Sequence, residues 1–229
     1  MGKTPMTYFS SDWHFGHENI INFERTNFDS VQSHDEYLID IIDDWSQKWA
    51  SGSILWFLGD FGSLDYLWVF NMLRNYGITV NFILGNHDGS ENISKFREYC
   101  DNVYEYPVYL SQKLVISHFP VAVYEDSINI HGHLHGSKLQ DKNHINASIH
   151  VTGYKPISEK QLAAIYSQIP KFNRRFLYEP FAADYVFTQP KADVVMDKDG
   201  RIDLSASRLY MKLKHENTNN KYHPYTGGI

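Results

Sequence analysis

Five apolar runs in this chain stop at residues that can bind metal or move protons. Residues 7–11 lead into Asp12 and His14, residues 53–58 into Gly59 and Asp60, and residues 79–84 into Gly85-Asn86-His87-Asp88. Residues 113–117 are followed by His118, and residues 127–130 by His131-Gly132-His133-Leu134-His135. Short apolar runs closed by Gly and polar residues are the pattern of buried parallel strands. In such sheets functional groups collect beyond the carboxyl ends of the strands. A fold that gathers the five run ends therefore concentrates imidazoles and carboxylates in one place.

Helical patterns separate the runs. Ser33 and Glu36 read as a capping box, and Tyr37, Leu38, Ile41, Ile42, Trp45 and Trp49 then recur at helical spacing up to Gly52. Residues 64–76 predict a second helix ended by Gly77, and residues 93–100 a third. Ser158 with Gln161 predicts a capped helix reaching about residue 169. Residues 144–152 alternate as a strand does. Strands interleaved with helices predict a layered α/β fold.

Length and charge narrow the function. The 229 residues, 42% hydrophobic, suffice for one cored domain with additions. We expect a core over residues 1–170 and a C-terminal extension over 171–229 that packs on it, with a frayed polar tail from about residue 214. Residues 1–150 carry 9 Lys/Arg against 19 Asp/Glu, a balance of −10, and residues 151–229 carry 12 against 8, a balance of +4. An acidic core disfavours broad binding of nucleic acid, which needs a basic footprint. Lys171, Arg174 and Arg175, interleaved with Phe172, Phe176 and Tyr178, are the one segment that could hold a polyanion, and a solvated basic face is the better reading. Asp197-Lys-Asp-Gly lacks the ligands of a calcium loop and reads as a hairpin turn at Asp199-Gly200. The single Cys100, the lack of a basic-then-apolar leader and the lack of a bilayer-length apolar run predict a cytoplasmic protein without membrane association.

Neutral imidazoles mixed with carboxylates suit divalent transition metals. The seven candidates Asp12, His14, Asp60, Asn86, His118, His133 and His135 exceed what one ion needs, so two ions are expected. Asp60 stands alone at its run end and has two oxygens to divide, which makes it the natural bridge. Two cations bring +4 and two aspartates return −2, leaving charge for an anionic substrate. Such a pair clamps the attacking and leaving oxygens of an in-line displacement, and phosphate ester hydrolysis is the reaction it serves best.

Asp12-x-His14, Gly59-Asp60, Gly85-Asn86-His87-Asp88, His118 and Gly132-His133-x-His135, in that order, resemble the calcineurin-like metallophosphoesterase superfamily over roughly residues 6–156. His14-Phe-Gly-His17-Glu-Asn-Ile and Gly153-Tyr-Lys-Pro156 resemble its small phage and bacterial members. The resemblance implies a four-layer α/β/β/α sandwich. It also implies that Asp12, His14 and His135 hold one metal, that Asn86, His118 and His133 hold the other, and that Asp60 bridges them. A hydroxide between the ions would attack phosphorus. His87 would contact the phosphate and protonate the leaving oxygen, with Asp88 orienting its ring. Manganese is the expected metal, with iron, zinc and nickel admissible.

The neighbours are weighed one by one. His17 is divided evenly between substrate contact and a structural hydrogen bond. Arg25 is a candidate phosphate contact, although an exposed Arg is the safer reading. His131 reads as structural, and His34, His144, His150, His215 and His223 as surface residues. Phe15, Phe61 and Phe119 are expected to wall the site. The leading function is a phosphodiesterase acting on a phosphate-ester small molecule or nucleotide. A nuclease or nucleotide phosphatase on the same site, and a silent binding scaffold, are the alternatives. A scaffold would be expected to lack ligands or the catalytic His, and here every position is filled.

Overall fold

The computed structural model describes residues 2–166 apart from Thr26 and Lys138. The expected extension beyond residue 170, its basic aromatic segment, the Asp199-Gly200 turn, His215, His223 and the polar tail lie outside the described residues.

Among the described residues, two sheets carry the strands. The first has the order β4-β3-β2-β1-β9, formed by β1 (Thr7–Ser10), β2 (Ile54–Phe57), β3 (Thr79–Ile83), β4 (Asn102–Tyr104) and β9 (Ile157–Ser158). Its first four strands are parallel and β9 pairs antiparallel to β1. The second sheet has the order β5-β6-β7-β8, formed by β5 (Val108–Ser111), β6 (Leu114–Ser117), β7 (Ile128–His131) and β8 (His144–Asn146). Only β5 runs antiparallel there. The helices are α1 (Glu18–Phe23), α2 (Val31–Ser46), α3 (Trp68–Asn75), α4 (Ile93–Tyr99), α5 (Ile149–Thr152) and α6 (Glu159–Tyr166).

Strand parity builds two cores. Tyr8, Leu55, Phe57, Val80 and Phe82 point one way and pack against Leu38, Ile42 and Trp45 of α2, Phe70 and Leu73 of α3, and Phe96 of α4. Phe9, Trp56 and Ile83 point the other way and meet Leu114, Ile116, Ile128, Ile130 and Ile145 of the second sheet. Successive side chains on a strand alternate faces, so one sheet serves both layers. This two-sheet α/β architecture is the class expected from the resemblance. Among the described residues no helix is long and apolar enough to cross a membrane.

Local details depart from the sequence reading. Helix α2 starts earlier than Ser33: Ser30 is its N-cap, and its Oγ accepts from the Ser33 amide at 3.1 Å. The Ser33 hydroxyl returns to the Ser30 amide at 3.2 Å, so Ser33 fills the place expected of Glu36. Residues 64–76 split into a short 3-10 turn and α3, with Gly77 at positive φ just after, as its capping role expects. The predicted strand 144–152 breaks after Asn146. Ser148 accepts from the His150 amide and starts α5, because a hydroxyl at that position satisfies an amide that a strand would leave free. Ser158 and Gln161 cap α6 as predicted, with Gln161 Oε1 accepting from the Ser158 amide at 2.9 Å.

Candidate metal centre

The turns that follow β1 and β2 continue to pair as the strands do. The Asp12 amide donates to Gly59 O at 2.9 Å, the His14 amide to Asp60 O at 3.1 Å and the Phe15 amide to Phe61 O at 2.9 Å. The first two ligand blocks are thus locked side by side. Six non-glycine residues among those described have positive φ, and five are Asp12 (60°), His14 (52°), Asp60 (59°), His133 (64°) and His135 (46°). The left-handed region costs an L-residue roughly 1–2 kcal/mol. Such outliers cluster where a side chain must be aimed, and here they fall on predicted ligands.

Two glycines make room for carboxylates. A Cβ on Gly85 would lie 2.1 Å from Asp60 Oδ1, and one on Gly132 would lie 2.8 Å from Asp12 Oδ2. Gly85→Ala is therefore expected to destabilise the protein by about 1–3 kcal/mol, the usual range for overpacking. It should also push Asp60 out of place and weaken the hold of its group on a divalent cation. Thermal melts with and without manganese would check both, and a variant with unaltered melting and metal affinity would refute the close approach.

All seven candidate ligands come together. His14 Nε2 faces His135 Nε2 at 3.1 Å, and His135 Nε2 lies 3.8 Å from Asp12 Oδ1. On the other side Asn86 Oδ1 faces His118 Nε2 at 2.9 Å and His133 Nδ1 at 3.0 Å. Asp60 Oδ2 stands between, 3.6 Å from His14 Nε2 and 3.3 Å from His118 Nε2. Asp12, His14, Asp60 and His135 form one group able to hold an ion, and Asp60, His118 and His133 a second, with Asp60 common to both. Asp60 is 1% exposed, and among the described residues its Oδ2 has no hydrogen-bond partner. A buried carboxylate oxygen without a donor is costly unless a cation meets it. The donor set therefore fits two divalent ions.

Electrostatics agree with that fit. Burial holds the His14 imidazole well below its usual value and His133 at about 4, which keeps both neutral, as ligands must be. Burial alone would lower His118 too, but the Asp60 carboxylate, 3.3 Å from its Nε2, pushes it up to about 9. Burial likewise opposes ionisation of Asp60, and the His118 partner outweighs it and drives the carboxyl below its usual range. Burial raises Asp12. A cation beside these groups would take the place of the His118 proton.

His87 and His17 sit at the open side. The exposed His87 ring lies 5.2 Å from that of His14 and 5.4 Å from that of His17, measured between centroids. Its backbone amide donates to Asp60 Oδ1 at 2.9 Å. His17 stacks on His14 at 5.4 Å, and its buried Nδ1 has no hydrogen-bond partner among the described residues. Phe119, 47% exposed, lies against His118 and His133 and walls the site. Phe15 and Phe61 do not wall it: both are fully buried in the aromatic core beneath.

Other expectations need correction. Asp88 does not orient His87. It is buried, its Oδ2 accepts from the amides of Asp60 at 2.8 Å and Gly85 at 2.7 Å, and its Oδ1 accepts from the Phe61 amide at 2.8 Å. Burial and the nearby Asp60 raise its carboxyl to about 6 against the pull of those amides. The tight turn sends adjacent side chains apart, so Asp88 ties the Asp60 turn to the Asn86 turn. Arg25 is neither exposed nor turned to substrate. It is 1% exposed and donates to Trp13 O at 2.8 Å and Asp12 O at 2.6 Å. His34 is not a surface residue but is buried against Arg25 and Asp35. His150 is half-buried and accepts from Arg25 Nε at 3.1 Å, and His144 is half-buried with its rings bonded to Asp141 and Val121 O. His131 is buried with Nδ1 2.8 Å from Gly132 O, a structural position as expected. The Arg25 and His34 network had no signal in the sequence beyond an Arg in a loop and a His in a helix.

Packed sheets with an Asp/His cluster at strand ends define a layered α/β protein able to hold metal. Within that class, the family model for calcineurin-like phosphoesterases matches residues 7–196, and the chain belongs to that family. An uncharacterized protein of Methanocaldococcus jannaschii is 32% identical over 163 residues, covering 66% of this chain and 85% of that protein. A crystal structure of a protein of unknown function from Aquifex aeolicus aligns with a TM-score of 0.55 at 26% identity, covering 71% of this chain and all of that one. Membership makes phosphoester hydrolysis the general activity; the family typically binds divalent metals, and the Asp and His groups described above could hold them.

Proposed function

We propose that this protein is a phosphodiesterase that works with two divalent cations, manganese first among them, on a phosphate-ester small molecule or nucleotide in the cytoplasm. The observation that carries the reading is Asp60, which belongs to two ligand groups and whose buried Oδ2, 3.6 Å from His14 Nε2 and 3.3 Å from His118 Nε2, makes no hydrogen bond among the described residues. When bound, two cations supply Lewis acidity and positive charge for an in-line displacement at phosphorus. Asp12, His14, Asp60 and His135 would hold one, and Asp60, Asn86, His118 and His133 the other. His87 and His17 border the open side, where an anionic phosphoryl oxygen meets imidazole donors. His87 would give its proton to the leaving oxygen, as a positioned imidazole can near neutral pH. Phe119 offers an apolar face beside the second group and leaves the site open enough for a diester.

The test is turnover with manganese of bis-p-nitrophenyl phosphate, p-nitrophenyl phosphate, cyclic nucleotides and single-stranded DNA, with chelator-treated protein as control. Diesters are expected to turn over faster than the monoester, and chelation should remove activity. Hydrolysis of DNA alone would favour the nuclease reading, and metal-independent turnover would sink the proposal.

A further inference from the structure

Glu24 and Arg25 follow α1, and both amides donate to Ile20 O at 2.9 Å, which fixes where the pair sits. Arg25 is a buried cation whose fork is spent on main-chain carbonyls. Its two terminal nitrogens reach Trp13 O and Asp12 O, inside the turn that carries Asp12 and His14 at positive φ. One of them also meets His34 Nε2. A guanidinium only donates, so His34 Nε2 accepts and its Nδ1–H is left for Asp35 Oδ1 at 2.8 Å. Asp35 Oδ2 then accepts from the Gly16 amide at 2.8 Å. The chain Arg25–His34–Asp35 thus grips the Asp12–Gly16 turn at both ends.

The same loop reaches the third ligand of that position. Glu24 Oε1 lies 3.6 Å from His135 Nδ1, and the His150 ring stacks on His135 at 4.8 Å and 18°. Arg25 Nε–H occupies His150 Nε2, which leaves the His150 Nδ1–H for Ser148 Oγ at 3.0 Å. Glu24, His135 and His150 are close enough to form a third metal-capable group. Arg25 argues against an ion there, since it fills the His150 nitrogen and adds a positive charge. A carboxylate at Nδ1 instead favours the tautomer with Nδ1–H, which presents a free Nε2 to the ion. Carboxylates behind metal-binding histidines commonly serve this purpose.

We propose that Glu24 and Arg25 form a positioning clamp for the first cation, Arg25 holding the Asp12–Gly16 turn and Glu24, with His150, holding the ring of His135. The clamp rests on the two-cation reading above.

Calorimetric titration of the metal-free full chain with Mn²⁺ tests it. Two binding events are expected in the parent protein. Glu24→Gln should weaken one of them about tenfold, within the range for such supporting residues, and leave the other and the melting temperature unchanged. Arg25→Lys keeps the charge but loses the fork, and should weaken the same event further. Nitrogen NMR of metal-free protein supplies a readout that general destabilisation would not move. His135 should be the Nδ1–H tautomer in the parent and a mixture in Glu24→Gln. Two unchanged events in Glu24→Gln, or equal weakening of both, would overturn the clamp alone. A parent protein that binds no Mn²⁺ would overturn the metal reading and the clamp with it.

Discussion

Asp60→Asn is expected to leave less than one tightly held ion per chain and to lower turnover by about 10³-fold or more, about 4 kcal/mol of barrier. Asp60 Oδ1 accepts from the His87 amide at 2.9 Å, a bond that an Asn oxygen can keep. The change therefore falls on Oδ2, which faces His14 Nε2 at 3.6 Å and His118 Nε2 at 3.3 Å. An NH₂ group there directs donors into both ligand groups and removes one of the two carboxylates that offset the cations. Asp12→Asn should behave differently, because Asp12 belongs to one group only. It is expected to lose one ion and keep the other. Metal analysis of protein purified without chelator, beside turnover and a thermal melt, separates the two variants. Two retained ions in Asp60→Asn would refute the shared carboxylate.

The difference between Asp60 and Asp88 marks how far the sequence could be read. Asp60 announced itself because a polar residue after an apolar run must leave the strand, and the direction of departure is common to all parallel strands. The same logic placed Asp12, His14, Asn86, His118, His133 and His135 at one edge, where they meet. Asp88 failed by that logic, since the turn after β3 carries three polar residues and only backbone angles decide where each points. Its carboxylate went to the amides of Asp60, Phe61 and Gly85. Arg25 and His34 failed for another reason. A buried cation and an exposed one are spelled alike, and what buries Arg25 is a set of carbonyls from residues 12 and 13. Carbonyl acceptors leave no trace in side-chain identity. Helix boundaries erred where two serines compete for one cap, as Ser30 and Ser33 do. Layering was legible because a continuous apolar run implies a strand buried on both faces, and β1, β2 and β3 do pack on both.

His87→Ala is expected to lower turnover by roughly 10²–10⁴-fold, the usual worth of a positioned acid or base, while metal content stays near that of the parent. The separation follows from position. The His87 ring borders His14 and His17 but belongs to neither ligand group, and its tie to Asp60 is made by the backbone amide, which Ala retains. With Asp88 committed to backbone amides, that neighbour places no carboxylate behind His87. A proton donor matters most when the leaving oxygen is basic. The loss in His87→Ala should therefore be large for esters with an alkoxide leaving group and much smaller for a p-nitrophenyl ester, whose phenolate leaves without help. An equal loss on both esters would make His87 a phosphate contact only. Loss of bound metal together with activity would make it a ligand, and the division of labour between Asn86 and His87 would fall.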